Sequence, residues 1–166
     1  MRAFAPALLF VLASSSTFAQ APATPPAPKL FASAGDVTAL IANAKKERKP
    51  DQPNFSQPIL RLAPYNANLE YRVAGLNAPA SVHEKEAEMF FVVEGSGTLV
   101  TGGKLKEERR TNPENLSGSG IDGGNRQRVT KGDYVMVPEG VPHWFGEIDG
   151  ALVLMSIHLP HAPAAR

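Results

Sequence analysis

The sequence predicts an all-β domain, a barrel or sandwich preceded by one short helix. Three observations carry this reading. The 166 residues include 15 Pro and 14 Gly, many of which punctuate short apolar runs, the pattern of a chain with many turns. From residue 55 onward those runs have strand length and are separated by Pro, Asn and Gly. One segment, ahead of Pro50, places its apolar residues at helical spacing instead. The length suits a single domain with a sizeable core.

Residues 1–19 read as a signal peptide. Arg2 supplies a thin positive start, an apolar stretch follows around residues 7–13, and Thr17-Phe18-Ala19 offers small residues where a signal peptidase reads. Cleavage after Ala19 is expected, with a periplasmic or secreted product. The apolar stretch is too short for a permanent span, so no membrane span is expected after cleavage. An uncleaved N-terminal anchor is the alternative; Ser14-Ser15-Ser16 and the Pro-rich sequence behind them speak against it. The chain has no Cys, hence no disulfides and no lipid-modified cysteine; export permits disulfides without requiring them. Lys+Arg number 17 against 16 Asp+Glu, which argues against nucleic acid or an anionic membrane surface as the partner.

Residues 20–32 are Pro/Ala-rich, and prolines remove donors and favour extended chain, so they read as a tether. The span 33–50 reads as an amphipathic helix. Ser33 and Asp36 resemble a capping box, Val37, Leu40, Ile41 and Ala44 form the apolar stripe, cations load the C-terminal end, and Pro50 stops it. Residues 55–160 read as the β domain. "PILRLAPY", "LEYRVAGL", "EMFFVVEG" and "GTLVTGG" are strand-like, and "MFFVV" is apolar on both faces, as in a strand covered on both sides. Gly95 closes that run. Residues 103–131 are polar, Gly-rich and charged, and read as a long hairpin or lid-like excursion, or equally as a solvated loop without a role. "GDYVMVPEGVPHWFGEI" and "GALVLMSIHLP" return to strand character, and "HAPAAR" reads as a frayed tail.

The chemistry concentrates in two stretches. In "SVHEKEAEMFFVVEGSG", His83 and Glu88 are residue types that ligate Fe, Mn, Zn, Ni or Cu. Five residues apart, they cannot share a strand face, and they meet only if the chain bends at "EKEA". Ser81 shares the face of His83, and Glu88 shares that of Phe90 and Val92. In "GDYVMVPEGVPHWFGE", Pro138-Glu139-Gly140 reads as a tight turn that delivers His143 to a strand mouth. His143, Phe145 and Glu147 alternate after it.

These stretches resemble the two motifs of the cupin superfamily. The first motif is Gly, His-x-His, three or four residues, Glu, six residues, Gly; here His83, Glu88 and Gly95 fit its end, and Gly75 stands where the opening glycine belongs. The second is Gly, five residues, Pro-x-Gly, two residues, His, three residues, Asn; Gly132, Pro138-Glu139-Gly140 and His143 fit without a gap. The resemblance covers roughly residues 58–160 and implies a single jelly-roll β-barrel with a metal held by inward side chains. Carried over residue by residue, the metal ligands are His83, Glu88 and His143, a set that leaves open positions on a divalent transition metal such as Fe, Mn, Zn or Ni.

Two positions depart from the motifs. Ser81 stands in place of the first His, where it could hold a metal-bound water or a substrate atom. Glu147 stands in place of the closing Asn, as a fourth ligand, an acceptor behind an imidazole, a general base, or a solvent-exposed strand end. Phe90 and Phe145 share the ligands' expected faces and are the choices for pocket lining. His158 falls in register with Ser156 and Leu154 and reads as an ordinary strand-end residue, with cavity lining as its other option. His161 lies in the tail without a role.

The resulting expectation is an exported, metal-dependent cupin enzyme acting on a small organic substrate in a small hydrophobic cavity. Oxygenase chemistry would go with Fe, isomerase or lyase chemistry with Mn, Zn or Ni. The alternative is a non-catalytic cupin, binding a small molecule or serving as a structural domain with a degenerate metal site. The family habit of dimerising allows a homodimer through Met89, Phe91 and Val93, although cover by the N-terminal helix explains that face equally well.

Overall fold

A computed structural model describes residues 26–161. The signal-peptide reading of 1–19 and the start of the tether lie outside the described residues. Helix α1 (Ala34–Glu47) is followed by strands β1 (Asn54–Leu62), β2 (Tyr65–Val73), β3 (Ala80–His83) and β4 (Glu86–Thr101). Next come β5 (Lys104–Lys106), β6 (Arg109–Asn112), β7 (Asn115–Gly118), β8 (Gly120–Asp122) and β9 (Asn125–Thr130). The chain closes with β10 (Tyr134–Val137), β11 (His143–Gly146) and β12 (Ala151–Pro160).

The start of α1 follows from its first residues. The Ser33 hydroxyl accepts from the Asp36 amide while the Asp36 carboxylate accepts from the Ser33 amide, so two otherwise orphaned donors are satisfied. Ile41 and Ala44 are buried against β1 and β2.

All strand pairings are antiparallel. The order β1-β2-β12-β4-β11-β3-β7-β6, with β9 and β10 also on β4, curls into a jelly-roll barrel. The strand β4 joins its two halves. Its first part lies between β12 and β10, and its second part between β9 and β11. Gly95 therefore does not end a strand, as its place in the apolar run suggests. It marks where β4 passes from one half to the other, with φ +81 and a site for Cβ only 1.8 Å from the Ala151 carbonyl oxygen. Only a residue without Cβ fits both demands.

Alternation along the strands sorts two cores. Phe90, Val92, Leu99, Val129, Val137, Phe145, Leu152 and Leu154 fill the barrel. Ala67, Leu69, Tyr71 and Val153 face the other way, toward Ile41, Ala44 and Ile59. Because Leu69 and Tyr71 face the helix, Glu70 and Arg72 face the barrel interior. Val93 and the half-buried Met155 and Ile157 join the helix-side core, so α1 and its neighbours cover part of the face that a homodimer contact would use. Phe91 stacks with Tyr134, ring centroids 4.7 Å apart, and Tyr134 is exposed.

The 103–131 excursion is built into the barrel. β6 and β7 pair as a hairpin and extend the β3 side, β5 pairs with β8, and β9 returns alongside β4. It thereby forms one wall of the cavity. Among the described residues no helix is long and apolar enough to cross a membrane.

Candidate metal centre

The site is assembled from β3, β4, β11 and β12. The turn at Pro138-Glu139-Gly140 docks on β3, where the Gly140 amide donates to the His83 carbonyl at 2.7 Å. Gly140 has φ +72, which lets the chain reverse and brings His143 opposite Ser81 in the ladder. On the other side, His158 lies directly opposite Glu88. The bend between β3 and β4 at Glu84-Lys85 lets His83 and Glu88, on different strands, aim at one point.

That point is the Glu88 carboxylate, 4 % exposed. His83 Nε2 lies 3.2 Å and His143 Nε2 3.1 Å from Glu88 Oε2. His158 Nε2 lies 3.3 Å from Glu88 Oε1. The His83 ring centroid is 5.3 Å from that of His143 and 4.8 Å from that of His158. One donor atom each from His83, Glu88 and His158 falls within 4.8 Å of the others; His143 is not in that group and joins the site through Glu88 Oε2.

The opposite edge of each imidazole meets an acceptor. His83 Nδ1 is 2.6 Å from Asn115 Oδ1, and Asn115 is itself oriented by donating Nδ2 to Asn112 Oδ1 at 3.0 Å. His158 Nδ1 is 2.9 Å from Glu86 Oε2, and His143 Nδ1 is 3.3 Å from the Val141 carbonyl. A carbonyl or carboxylate oxygen can only accept, so Nδ1 carries the proton in each ring. The neutral rings then present three Nε2 lone pairs to a carboxylate that has no proton to give. Such a cluster of acceptors is held together either by a second proton on the rings or by a cation among them. Burial works to raise the Glu88 pKa, but hydrogen bonds from His143 and His83 and the nearby imidazole charges outweigh it and hold the carboxyl far below its usual range. Burial likewise pushes His83 down, yet Glu88 and Asn115 together raise it above 6.5. The donor set of His83, Glu88 and His158, with the His143 imidazole on the same carboxylate, suits a divalent transition metal.

The sequence-predicted residues separate here. His83, Glu88 and His143 come together, and Ser81 lines the same cavity. Glu147 does not reach it. Strand β11 ends at Gly146, and Glu147 turns away with φ 48. Its carboxylate takes Thr98 Oγ1 at 2.7 Å and Arg126 Nη2 at 2.5 Å on the surface, and these partners lower its pKa. It is therefore neither a ligand nor a base at this centre. Phe90 and Phe145 lie beneath the cavity rather than on its wall. Both are buried in the barrel core with ring centroids 4.9 Å apart, and Phe90 packs 5.8 Å from the His143 ring. His158, read as an ordinary strand-end residue, is at the centre. Its alternation with Ser156 and Leu154 was the available signal; what the sequence lacked was the register that sets it against Glu88. Asn115 stands in the polar excursion and carried no signal.

The cavity holds about 490 Å³. Its walls are mixed rather than purely hydrophobic: Pro53, Ala78, Pro79 and Leu116 stand beside Ser81, Thr111, Asn112, Ser117, Asn54, Glu70, Arg72 and the imidazoles.

A family model described as Cupin matches residues 58–162. No curated protein matches the chain. Among solved structures, the chain is similar to the BH2720 protein of Bacillus halodurans, with TM-score 0.54 and 17% identity over 84% of this chain and 88% of that one. It is also similar to the DMSP lyase DddQ of Ruegeria pomeroyi, with TM-score 0.53 and 18% identity over 86% of this chain and 71% of that one. The KdgF of a Halomonas species gives TM-score 0.50 and 13% identity over 70% and 86% of the two chains. At these identities the likeness is one of fold.

Proposed function

The chain belongs to the cupin family, and on that premise we propose that it is an exported metal-dependent enzyme that acts on a small organic substrate. The observation that carries the reading is the convergence of three imidazole Nε2 atoms on one buried carboxylate, each ring fixed from behind by an acceptor. His83, Glu88, His143 and His158 would hold the metal. In place of the imidazole that the motif expects at Ser81, the last strand supplies His158. A bound divalent metal supplies Lewis acidity for a substrate oxygen.

The chain's own residues shape the reaction around it. Asn115, Glu86 and the Val141 carbonyl keep the Nδ1 protons and so keep the Nε2 lone pairs facing inward. Ser81 lines the cavity, and its hydroxyl can donate to or accept from substrate. Thr111, Asn112 and Ser117 offer hydroxyl and amide groups from the facing wall. Set among Pro53, Ala78, Pro79 and Leu116, these groups match a small organic substrate that carries both oxygen and apolar groups. The N-terminal 19 residues support export, and N-terminal sequencing of the protein from its host should begin at Gln20.

Elemental analysis of protein purified from that compartment tests the centre. One divalent transition metal per chain is expected, and near none in a His83→Ala/His143→Ala variant. Equal, substoichiometric metal in both would instead favour the second reading, a non-catalytic cupin whose imidazoles are protonated partners of Glu88.

A further inference from the structure

The cavity contains a second polar cluster, away from the four donors. Arg72 and Glu70 face inward from β2, each with a side chain 12% exposed. Arg72 Nη2 and Nε both bind one oxygen of Glu70, at 2.6 and 3.0 Å. The guanidinium carbon lies 5.2 Å from the Phe145 ring centroid, so the group is fixed on one edge by a carboxylate and set over a buried ring. Glu70 is held in turn. Its Oε1 accepts from Ser156 Oγ and its Oε2 from Asn54 Nδ2, both at 3.3 Å.

Two polar atoms in this cluster have no partner. Arg72 Nη1 makes no hydrogen bond among the described residues and is not sealed from solvent. Asn54 Oδ1 is buried, and it is the one such side-chain atom without a hydrogen bond among the described residues. A buried acceptor left empty costs about 1–3 kcal/mol, and a fixed guanidinium edge is a preorganised anion donor. Both residues line the cavity that also holds His83, Glu88, His143 and His158.

We infer that Arg72 forms a substrate subsite for the carboxylate end of a small hydroxy acid. The carboxylate accepts from Arg72 Nη1, while Asn54, donating Nδ2 to Glu70, helps to hold the Arg72–Glu70 pair. Glu70 is a positioning residue that holds the guanidinium. The inference rests on the proposed metal centre in one respect, since Arg72 lines the cavity that holds its donors. The hydroxyl and amide walls at Thr111, Asn112 and Ser117 fit the same class.

The test is calorimetric titration of the full metal-loaded chain with glycolate, malate and gluconate, and with the neutral counterparts glycolamide, malamide and glucose. Metal content is measured on every sample. At least one carboxylate should bind at least tenfold more tightly than its neutral counterpart. Arg72→Met should remove that preference while keeping the wild-type metal content. Because Arg72→Met leaves Glu70 without its cation, the paired variant Glu70→Gln/Arg72→Met is run beside it, with thermal unfolding to verify folding. Failure of every carboxylate to bind, or unchanged carboxylate preference in the folded paired variant, overturns the subsite. Wild-type protein that takes up no metal when metal is supplied, yet shows Arg72-dependent carboxylate binding, would sink the metal centre and support the subsite.

Discussion

Asn115→Leu isolates the contribution of one outer contact to the proposed centre. Asn115 Oδ1 accepts from His83 Nδ1 at 2.6 Å, and its Nδ2 is tied to Asn112. Leucine keeps the approximate volume and removes the acceptor. The partly buried Nδ1–H then loses its partner, a penalty of about 1–3 kcal/mol. The ring also becomes free to turn or to change tautomer, which withdraws the Nε2 lone pair from the metal. At about 1.4 kcal/mol per tenfold, the penalty corresponds to roughly 5- to 150-fold in metal affinity, in line with the 10- to 100-fold typical of outer-contact loss. The assay is a competition titration of Zn²⁺ against a chelating dye, for wild type, Asn115→Leu and Asn115→Asp. The aspartate keeps an acceptor for His83 but loses the donor to Asn112, so its affinity should fall between the other two or match wild type. Equal affinities in all three proteins would refute the claim that His83 is held in a ligating pose from behind.

Further outcomes follow from the same geometry. In chelator-stripped protein, the raised pKa of His83 contributes stability that is complete below about pH 6.5 and is lost as pH rises through its folded pKa. The depressed pKa of Glu88 contributes stability present above about 4.5 and lost only in strong acid. Stripped protein should therefore melt highest between these values and decline toward pH 8.5. The metal-loaded form should gain stability over that same rise, because the imidazoles must be unprotonated to ligate; parallel melting curves for the two forms would contradict this. Glu147→Gln should leave metal content unchanged, since that carboxylate engages Thr98 and Arg126 outside the cavity; loss of metal would return it to the centre. Gly95→Ala should destabilise by roughly 2–5 kcal/mol through the clash with the Ala151 carbonyl and the positive φ, and an unshifted thermal midpoint would count against the packing described.

How much of this could be read in advance differed by residue. The barrel was legible because alternating apolar residues, turn glycines and the spacing of His83, Glu88, Gly95, Gly132, Pro138 and His143 all point to it together. The helix was legible from Ser33, Asp36 and its apolar stripe. Glu147 was misread because strand alternation was carried one residue too far, past Gly146 to a position with φ 48. Phe90 and Phe145 were assigned to the correct faces but sit deeper, in the barrel core. His158 and Asn115 could not be placed, because each depends on a long-range register, β12 against β4 and β7 against β3. Neither register has a local sequence cue. The polar half of the cavity lining was missed for a related reason. Glu70 and Arg72 look like solvent-facing strand residues until α1 claims the opposite face of β2.

In the proposed centre, His158 joins His83, Glu88 and His143 in a barrel that has Ser81 where the motif places an imidazole. A crystal of the metal-loaded protein, measured at the absorption edge of the metal it carries, tests this directly. One anomalous peak bonded to Nε2 of His83, His143 and His158 and to Glu88 is the predicted result. A metal that leaves His158 on Glu86 alone, or no peak among these residues in protein given excess metal, would contradict it.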